Sequence, residues 1–333
     1  MCLDYTNASS ALSGGANSTS PDVPLLNGSS LSTTNATPGS LCPANASRCD
    51  VDFRTGQTLV VSLYGAIFVL GLTTNGLTLR PLVGQMRRGN VLAVYLLNLL
   101  FSDLLYLSTL PLWMLYVFHG HRWTLGGVAC HVAGFVFYSN MYVSIFLLCA
   151  NSVERYRAVV QPFGSWGQPS QTSAAVASTS VALLVFLLHL AVDPSCYDSY
   201  PLQPGVAKFN YFRVATGFAF PLLILAVSYL KIVRMVRGSE ALLAWKKAKV
   251  RSLSLGISAI FLLCFAPYHL LLLVRSLAAT FLDCCSICAL EQLLQLPFSL
   301  SLAASSLNSA LDPVLYALAS DTVKQGVKKA LGF

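Results

Sequence analysis

The sequence predicts an all-α membrane protein, a seven-transmembrane helix bundle followed by a short amphipathic helix eight. Three observations carry that prediction. Hydrophobic residues make up 55% of the 333-residue chain and charged ones only 10%, too apolar a composition for a soluble protein of this size. Apolar runs centred near residues 70, 100, 145, 183, 224, 261 and 305 each reach the ~20 residues that a spanning helix needs. Fifteen of the 21 Lys and Arg residues fall at or between alternate ends of these runs, from Arg80, Arg87 and Arg88 through Arg155, Arg157, Lys231, Arg234 and Arg237 to Lys324, Lys328 and Lys329. Positive charge concentrates on cytoplasmic ends, so the N-terminus is predicted outside and the C-terminus inside. The net charge of +8 follows from this asymmetry and implies no nucleic-acid partner. Neither a phosphate-binding glycine loop nor a metal-spaced Cys/His cluster is present, so no cofactor and no metal is expected.

Residues 1–56 are rich in Ser, Asn, Thr, Pro and Gly and hold too few large apolar residues to fold alone. They read as a disordered extracellular tail with glycosylation sequons at Asn7, Asn17, Asn27, Asn35 and Asn45. No basic-then-apolar leader opens the chain, so the first span is expected to direct insertion. Residues 57–318 form the transmembrane domain. Its first helix, from about Gln57 to Leu82, carries Asn75, which needs a partner inside the bilayer. The second, about Asn90 to Phe118, offers one in the stretch Asn98-Leu-Leu-Phe-Ser-Asp103, and Pro111 is expected to kink it. An intramembrane carboxyl such as Asp103 marks a functional site by default, and it also serves as a hydrogen-bond hub.

The third span runs from Cys130 to Tyr156. Twenty-five residues separate Cys130 from Arg155, roughly 37 Å of helix, so the two ends lie in different compartments. Glu154 beside Arg155 is expected to form an ion pair at the inner end. An inner loop, Arg157 to Gln168, leads to a fourth helix, about Gln171 to Val192, that lacks a tryptophan in its middle. Cys196 in the next outer loop is the natural disulfide partner of Cys130. The fifth helix, about Val206 to Val236, contains Pro221 and Tyr229. The sixth, about Ala244 to Ala279, contains Phe261, Cys264, Phe265, Pro267, Tyr268 and His269, and its mid-span proline is a candidate hinge. The seventh, about Ala289 to Leu318, ends in Asn308-Ser-Ala-Leu-Asp312-Pro313-Val-Leu-Tyr316. Residues 319–333 supply the amphipathic helix, about Ser320 to Leu331, whose lysines would face lipid phosphates.

In order and spacing these motifs resemble those of rhodopsin-like (class A) G-protein-coupled receptors, with the fourth helix the weakest match. The resemblance implies that Glu154-Arg155-Tyr156 is the inner ionic switch. It makes Pro221, Ile145 and Phe261 a connector, puts Phe265 at a pivot usually held by tryptophan, and adds Tyr229, Pro313 and Tyr316 to the moving parts. It assigns Asp103, Asn140, Ser144, Asn308 and Asp312 to a polar cavity that binds a sodium ion in many relatives. Gly89-Asn-Val-Leu-Ala-Val-Tyr-Leu-Leu, Thr109-Leu-Pro-Leu-Trp113, His121-Arg-Trp-Thr-Leu-Gly126 and Cys264-Phe-Ala-Pro-Tyr-His-Leu270 are similar to the proton-sensing, lipid-responsive subfamily. That likeness implies a second disulfide from Cys49 to Cys288, although Cys42, Cys284 and Cys285 leave the pairing open. It also implies a heterotrimeric G protein as partner, a location in the plasma membrane, and lipid ligands such as oxidised fatty acids, lysophospholipids and N-acyl amides.

The outer half of the bundle offers Phe137, Tyr138, Met141, Tyr142, Phe218, Phe265, Tyr268 and Phe298, an aromatic lining with few polar groups. Phe137 stands where amine receptors carry an acid, which disfavours a cationic ligand. Arg213, eight residues before Pro221, is the candidate anchor for a carboxylate or phosphate. A helix-end arginine that snorkels to lipid headgroups is the alternative. Arg275 is a second candidate, expected nearer the rim and more solvated. No Ser/His/Asp or metal-ligand set converges, so an enzyme is not expected and no catalytic residue is named. A transporter lacks a polar path, because Asp103 and Asp312 are the only acids read as deep in the spans. Protons are a second candidate signal. His119, His121, His131, His189 and His269 lie in the outer half or at the outer surface, with His269 best placed for sensing or for packing. Asp103 and Asp312 could take up protons instead. Strong sensors of the subfamily carry a further acid in the fourth helix, and Ala174 to Leu188 contains none, so a weak proton response is expected beside a main lipid response.

Overall fold

The computed structural model describes residues 49, 51–160, 170–192, 200–238 and 244–330. Seven helices among them are long and apolar enough to cross a membrane: α1 (Gln57–Arg87), α2 (Val91–Phe118), α3 (Gly127–Val160), α4 (Gln171–Val192), α5 (Pro204–Gly238), α6 (Ala244–Phe281) and α7, built from Cys284–Ser306 and Asn308–Ala319. A short α8 (Asp321–Ala330) follows. The central helix is α3, with 78% of its most apolar stretch buried against neighbours, whereas α4 buries 22% and stands at the periphery. The sequons, Cys42 and Cys196 lie outside the described residues, as does most of the loop between α3 and α4.

Helix starts follow local chemistry. Gly56 precedes α1 at φ 76°, a left-handed conformation suited to glycine, and a Cβ there would fall 2.4 Å from Leu296 Cδ1. Asn90 caps α2 by accepting from the Leu92 amide at 3.0 Å. Asp283 caps α7 by accepting from the amides of Cys285 at 3.2 Å and Ser286 at 3.4 Å, and hydrogen bonds from Ser286 hold its carboxyl below the usual range. That cap explains why α7 begins at Cys284 rather than at Ala289.

Proline shapes the interior of the spans. Pro221 has no N–H for the Gly217 carbonyl four residues back, and α5 relaxes there into a π-helical turn, Ala215–Ala219. Pro313 likewise leaves the Ser309 carbonyl without a helical donor. Asn75 of α1 supplies one, donating Nδ2 to Ser309 O at 2.7 Å, and Thr74 donates to Ala310 O at 3.2 Å. This corrects the expectation that Asn75 pairs with α2. The α2 amide of Asn98 instead donates to Ser178 of α4. Together with Val94 and Tyr95 packed on Ala174, that contact seats α4 without a mid-span tryptophan.

Of the outer cysteines, Cys49 and Cys288 are joined with their Cα atoms 5.5 Å apart. Cys130 is also disulfide-bonded. On α8, Val323 is buried, Gly326 lies against Pro81, and Lys324, Lys328 and Lys329 are exposed, the amphipathic pattern expected. Lys249 of α6 pairs with Asp321 at 2.6 Å and lowers that carboxyl's pKa.

Candidate functional site

The outer site is assembled on one face of α5. Ala207, Asn210 and Arg213 recur every three residues and are the buried residues of the segment before the π turn. Arg213 is 8% exposed, so it does not snorkel to headgroups. Its Nε donates to the Tyr142 hydroxyl at 3.1 Å and its Nη2 to the Tyr268 hydroxyl at 2.8 Å. The guanidinium carbon sits 4.8 Å from the Tyr138 ring centroid, 5.4 Å from Tyr142 and 5.6 Å from Phe209. Among the described residues no carboxylate pairs with it. A buried cation is thus held by phenols and ring faces alone.

Tyr142 is the keystone of this cage. Its ring occupies the space beside Gly217, where a Cβ would come within 2.2 Å of Cε1. The same ring meets His189 of α4 at 5.3 Å and His269 of α6 at 5.8 Å. Phe218 stacks between Phe261 and His269, at 5.5 Å and 5.1 Å. Phe137, Tyr138, Met141, Phe265, Tyr268 and Phe298 are all buried around it, so the structure brings the expected lining together. His269 is 1% exposed, with Nδ1 at 2.7 Å from Phe265 O and Nε2 at 3.4 Å from the Tyr142 hydroxyl. Both ring nitrogens are engaged.

Arg275 departs from expectation. It is 1% exposed, and its Nε donates to Glu291 Oε2 at 2.8 Å in an ion pair buried on both sides. Its guanidinium covers Phe298 at 4.3 Å and Tyr200 at 4.5 Å. Glu291 Oε1 also accepts from the Leu202 amide at 3.2 Å. Sequence reasoning missed Glu291 by counting Asp103 and Asp312 as the only deep acids. An acid within the apolar start of the seventh span, with Arg275 at the matching depth of the sixth, was the available signal.

An outer cap closes over this layer. Phe53 stacks on His121 at 4.4 Å and meets Tyr200 edge-on at 5.1 Å, while His121 meets Tyr116 at 4.9 Å. Burial pulls the His121 imidazole down to about 4. Gln57 Nε2 donates to Val117 O at 2.9 Å, and the Cys49–Cys288 bond fixes the incoming chain. His119 and His131 are exposed.

Below this layer, Ile145 and Phe261 are fully buried, and the Cys149 thiol of α3 lies 3.7 Å from Pro221 O of α5. Asp103 and Asp312 are both fully buried. Asp103 Oδ2 accepts from Tyr316 at 3.4 Å and Asp312 Oδ2 from Asn308 at 3.0 Å. Each acid keeps one buried oxygen without a hydrogen bond, an arrangement that suits a small monovalent cation or a proton. Ser144 is buried nearby in sequence on α3, but the Asn140 amide is already engaged with Ser102 at 2.9 Å and Val136 O at 2.8 Å. No cluster of three or more metal-ligating side chains occurs among the described residues.

The inner end also differs from expectation. Glu154 pairs with Arg157 at 3.0 Å, not with Arg155. Adjacent helical residues diverge around the axis, whereas residues three apart share a face. Tyr156 faces Lys231 at 5.4 Å, and Tyr229 is half-buried.

Comparison with known proteins agrees with this architecture. Residues 74–316 match the family described as 7 transmembrane receptor (rhodopsin family). The chain is 38% identical over 311 residues to Probable G-protein coupled receptor 132 of Homo sapiens, covering 91% of this chain and 82% of that one. It is 35% identical over 308 residues to G-protein coupled receptor 68 of Bos taurus, covering 88% and 83%. It is 31% identical over 289 residues to the Uracil nucleotide/cysteinyl leukotriene receptor of Homo sapiens, covering 82% and 76%.

Proposed function

Because this chain belongs to the rhodopsin family of seven-transmembrane receptors, a multi-pass plasma-membrane family, we propose that it converts binding of an acidic-headed lipid into activation of a heterotrimeric G protein. The N-terminal tail faces outward and the basic ends of α5, α6 and α8 face the cytoplasm in this reading. One observation carries it. Arg213 is a buried cation enclosed by aromatic side chains and has no carboxylate among the described residues, in contrast to Arg275 with Glu291. An incoming carboxylate or phosphate completes Arg213 as Glu291 completes Arg275, and an acyl chain fits against Phe218, Phe265 and Phe298. Ligand entry displaces the phenols from the guanidinium, and Tyr142 and Tyr268 carry that displacement to α3 and α6.

The test is a dose response of G-protein activation by a long-chain fatty acid, screened across G-protein classes. A charge-assisted hydrogen bond is worth ~1.5–3 kcal/mol, so Arg213→Ala should lower potency roughly ten- to a hundred-fold at matched surface expression, and Arg213→Lys should recover part of it. An unchanged curve for Arg213→Ala removes the anchor. Protons have a lesser role in this reading. Both His269 nitrogens are already engaged, whereas Asp103 and Asp312 each keep an unpartnered oxygen. That supports the acid pair as the site of a weak proton response.

A further inference from the structure

The strongest unexplained feature of the pocket lies one turn above its anchor. Asn210 is 2% exposed, and its Oδ1 makes no hydrogen bond. It shares the buried stripe of α5 with Arg213, three residues on, and side chains at that spacing stand about 5–6 Å apart on one face. Neighbouring polar side chains of this layer have partners within the protein. Tyr211 donates to Ser276 O at 3.0 Å, and Arg275 and Glu291 hold each other at 2.8 Å. A buried amide oxygen without a donor is unfavourable in a bundle interior, and a donor brought by a ligand is one way to offset that cost.

Resting on the acidic-lipid reading above, we infer that Asn210 Oδ1 is a specificity-determining acceptor that reads a hydrogen-bond donor close to the ligand's anion. The head group then has two points of attachment. Arg213 takes the charge and Asn210 takes an N–H or O–H within a few bonds of it. An acyl chain joined through a secondary amide to an amino-acid carboxylate has this chemistry, because its N–H lies two bonds from the carboxylate carbon. A plain fatty acid offers Arg213 the same charge but leaves Asn210 unsatisfied.

The experiment compares three probes on the full-length receptor by binding and by G-protein activation: N-oleoylglycine, its N-methyl analogue N-oleoylsarcosine, and oleic acid. A neutral hydrogen bond corresponds to roughly a two- to ten-fold preference, so the N–H probe should be favoured over the N-methyl probe by that factor. In Asn210→Leu the preference should collapse to about one-fold while oleic acid is unaffected. The ligand-free thermal midpoint of Asn210→Leu should stay level or rise, since an unpaired polar group has been removed; a fall in midpoint would make Asn210 a structural residue and overturn the inference. Retention of the N–H preference in Asn210→Leu, or absence of any preference in the unaltered receptor, also overturns it. Arg213→Ala separates the two readings. It should weaken all three probes and preserve the N–H to N-methyl ratio, whereas unchanged affinities there remove the anion anchor and leave the Asn210 ratio to be judged by itself. Failure of all three probes to bind the unaltered receptor overturns both.

Discussion

Replacing Glu291 by alanine tests how the outer ends of α6 and α7 are held together. The carboxylate meets Arg275 at 2.8 Å with both side chains at 1% exposure or less, and it also accepts the Leu202 amide. Its removal takes one carboxylate away from a guanidinium buried against Phe298 and Tyr200 and leaves one backbone donor without its acceptor. Breaking one side of a buried ion pair costs about 3–5 kcal/mol. At roughly 2–4 °C per kcal/mol for a chain of this order of size, Glu291→Ala should lower the thermal midpoint of the purified receptor by at least about 6 °C. The double variant Arg275→Met, Glu291→Leu removes both charges and fills the space with apolar groups. It should recover most of that loss, because apolar replacement of a buried pair is often neutral. A double variant as unstable as Glu291→Ala would show that the charge left behind was not the cause. A stable Glu291→Ala would show that the pair does not close the bundle.

Three further outcomes follow from the geometry. Gly217→Ala should force the Tyr142 ring away from α5, since the added Cβ would lie 2.2 Å from Cε1; overpacking of this kind costs about 1–3 kcal/mol. Lipid potency should fall with it, and Tyr142→Leu in the same chain should relieve the stability loss. For His121, the folded-state value of about 4 lies below the unfolded value near 6.5, so its contribution is complete above pH 6.5 and is lost as pH falls toward 4. Between pH 7.5 and 6 that amounts to about 1 kcal/mol or less, and His121→Asn, which tolerates the left-handed φ of 60°, should flatten the pH dependence of the thermal midpoint in that range. Peptide mapping without reductant should recover Cys49 linked to Cys288, and Cys288→Ser should cost about 2–5 kcal/mol; free thiol at both positions would contradict the arrangement.

The spans were legible because a bilayer imposes length and apolarity one segment at a time, and those are properties of contiguous residues. Arg213 and its aromatic lining were legible for a related reason, since a lone cation stands out within an apolar stretch. Pairings between helices were not. Asn75 could be seen to need a partner, but whether it met Asn98, Asp103 or a carbonyl on α7 depends on helix rotation, which the sequence does not set. Glu154 was assigned to its neighbour Arg155, and the helical repeat gave it to Arg157 instead. Glu291 and Asn210 escaped notice because one polar residue near a helix end reads as solvated until the packing above it is known. The π turn at Ala215–Ala219 was likewise hidden, although Pro221 and Gly217 at their four-residue spacing were its local cause.

The contact between Asn75 and the Ser309 carbonyl sets how far α7 can move on its own. Proline has opened the backbone ladder at that carbonyl, and an amide from another helix has closed it again. Any swing of the inner half of α7 about Pro313 must first pull this amide free or carry α1 along. The restraint is therefore a latch between two helices, and its strength is that of one buried hydrogen bond, on the order of 1–3 kcal/mol to leave unmade. That is comparable to the ~1.5–3 kcal/mol offered by a single charged contact in the pocket above, so one well-placed head group supplies enough free energy to change the latch's occupancy. Both partners are neutral, which makes the latch insensitive to salt and pH. Sensitivity to those conditions must enter through the charged groups at either end of the bundle, while the middle responds to force alone.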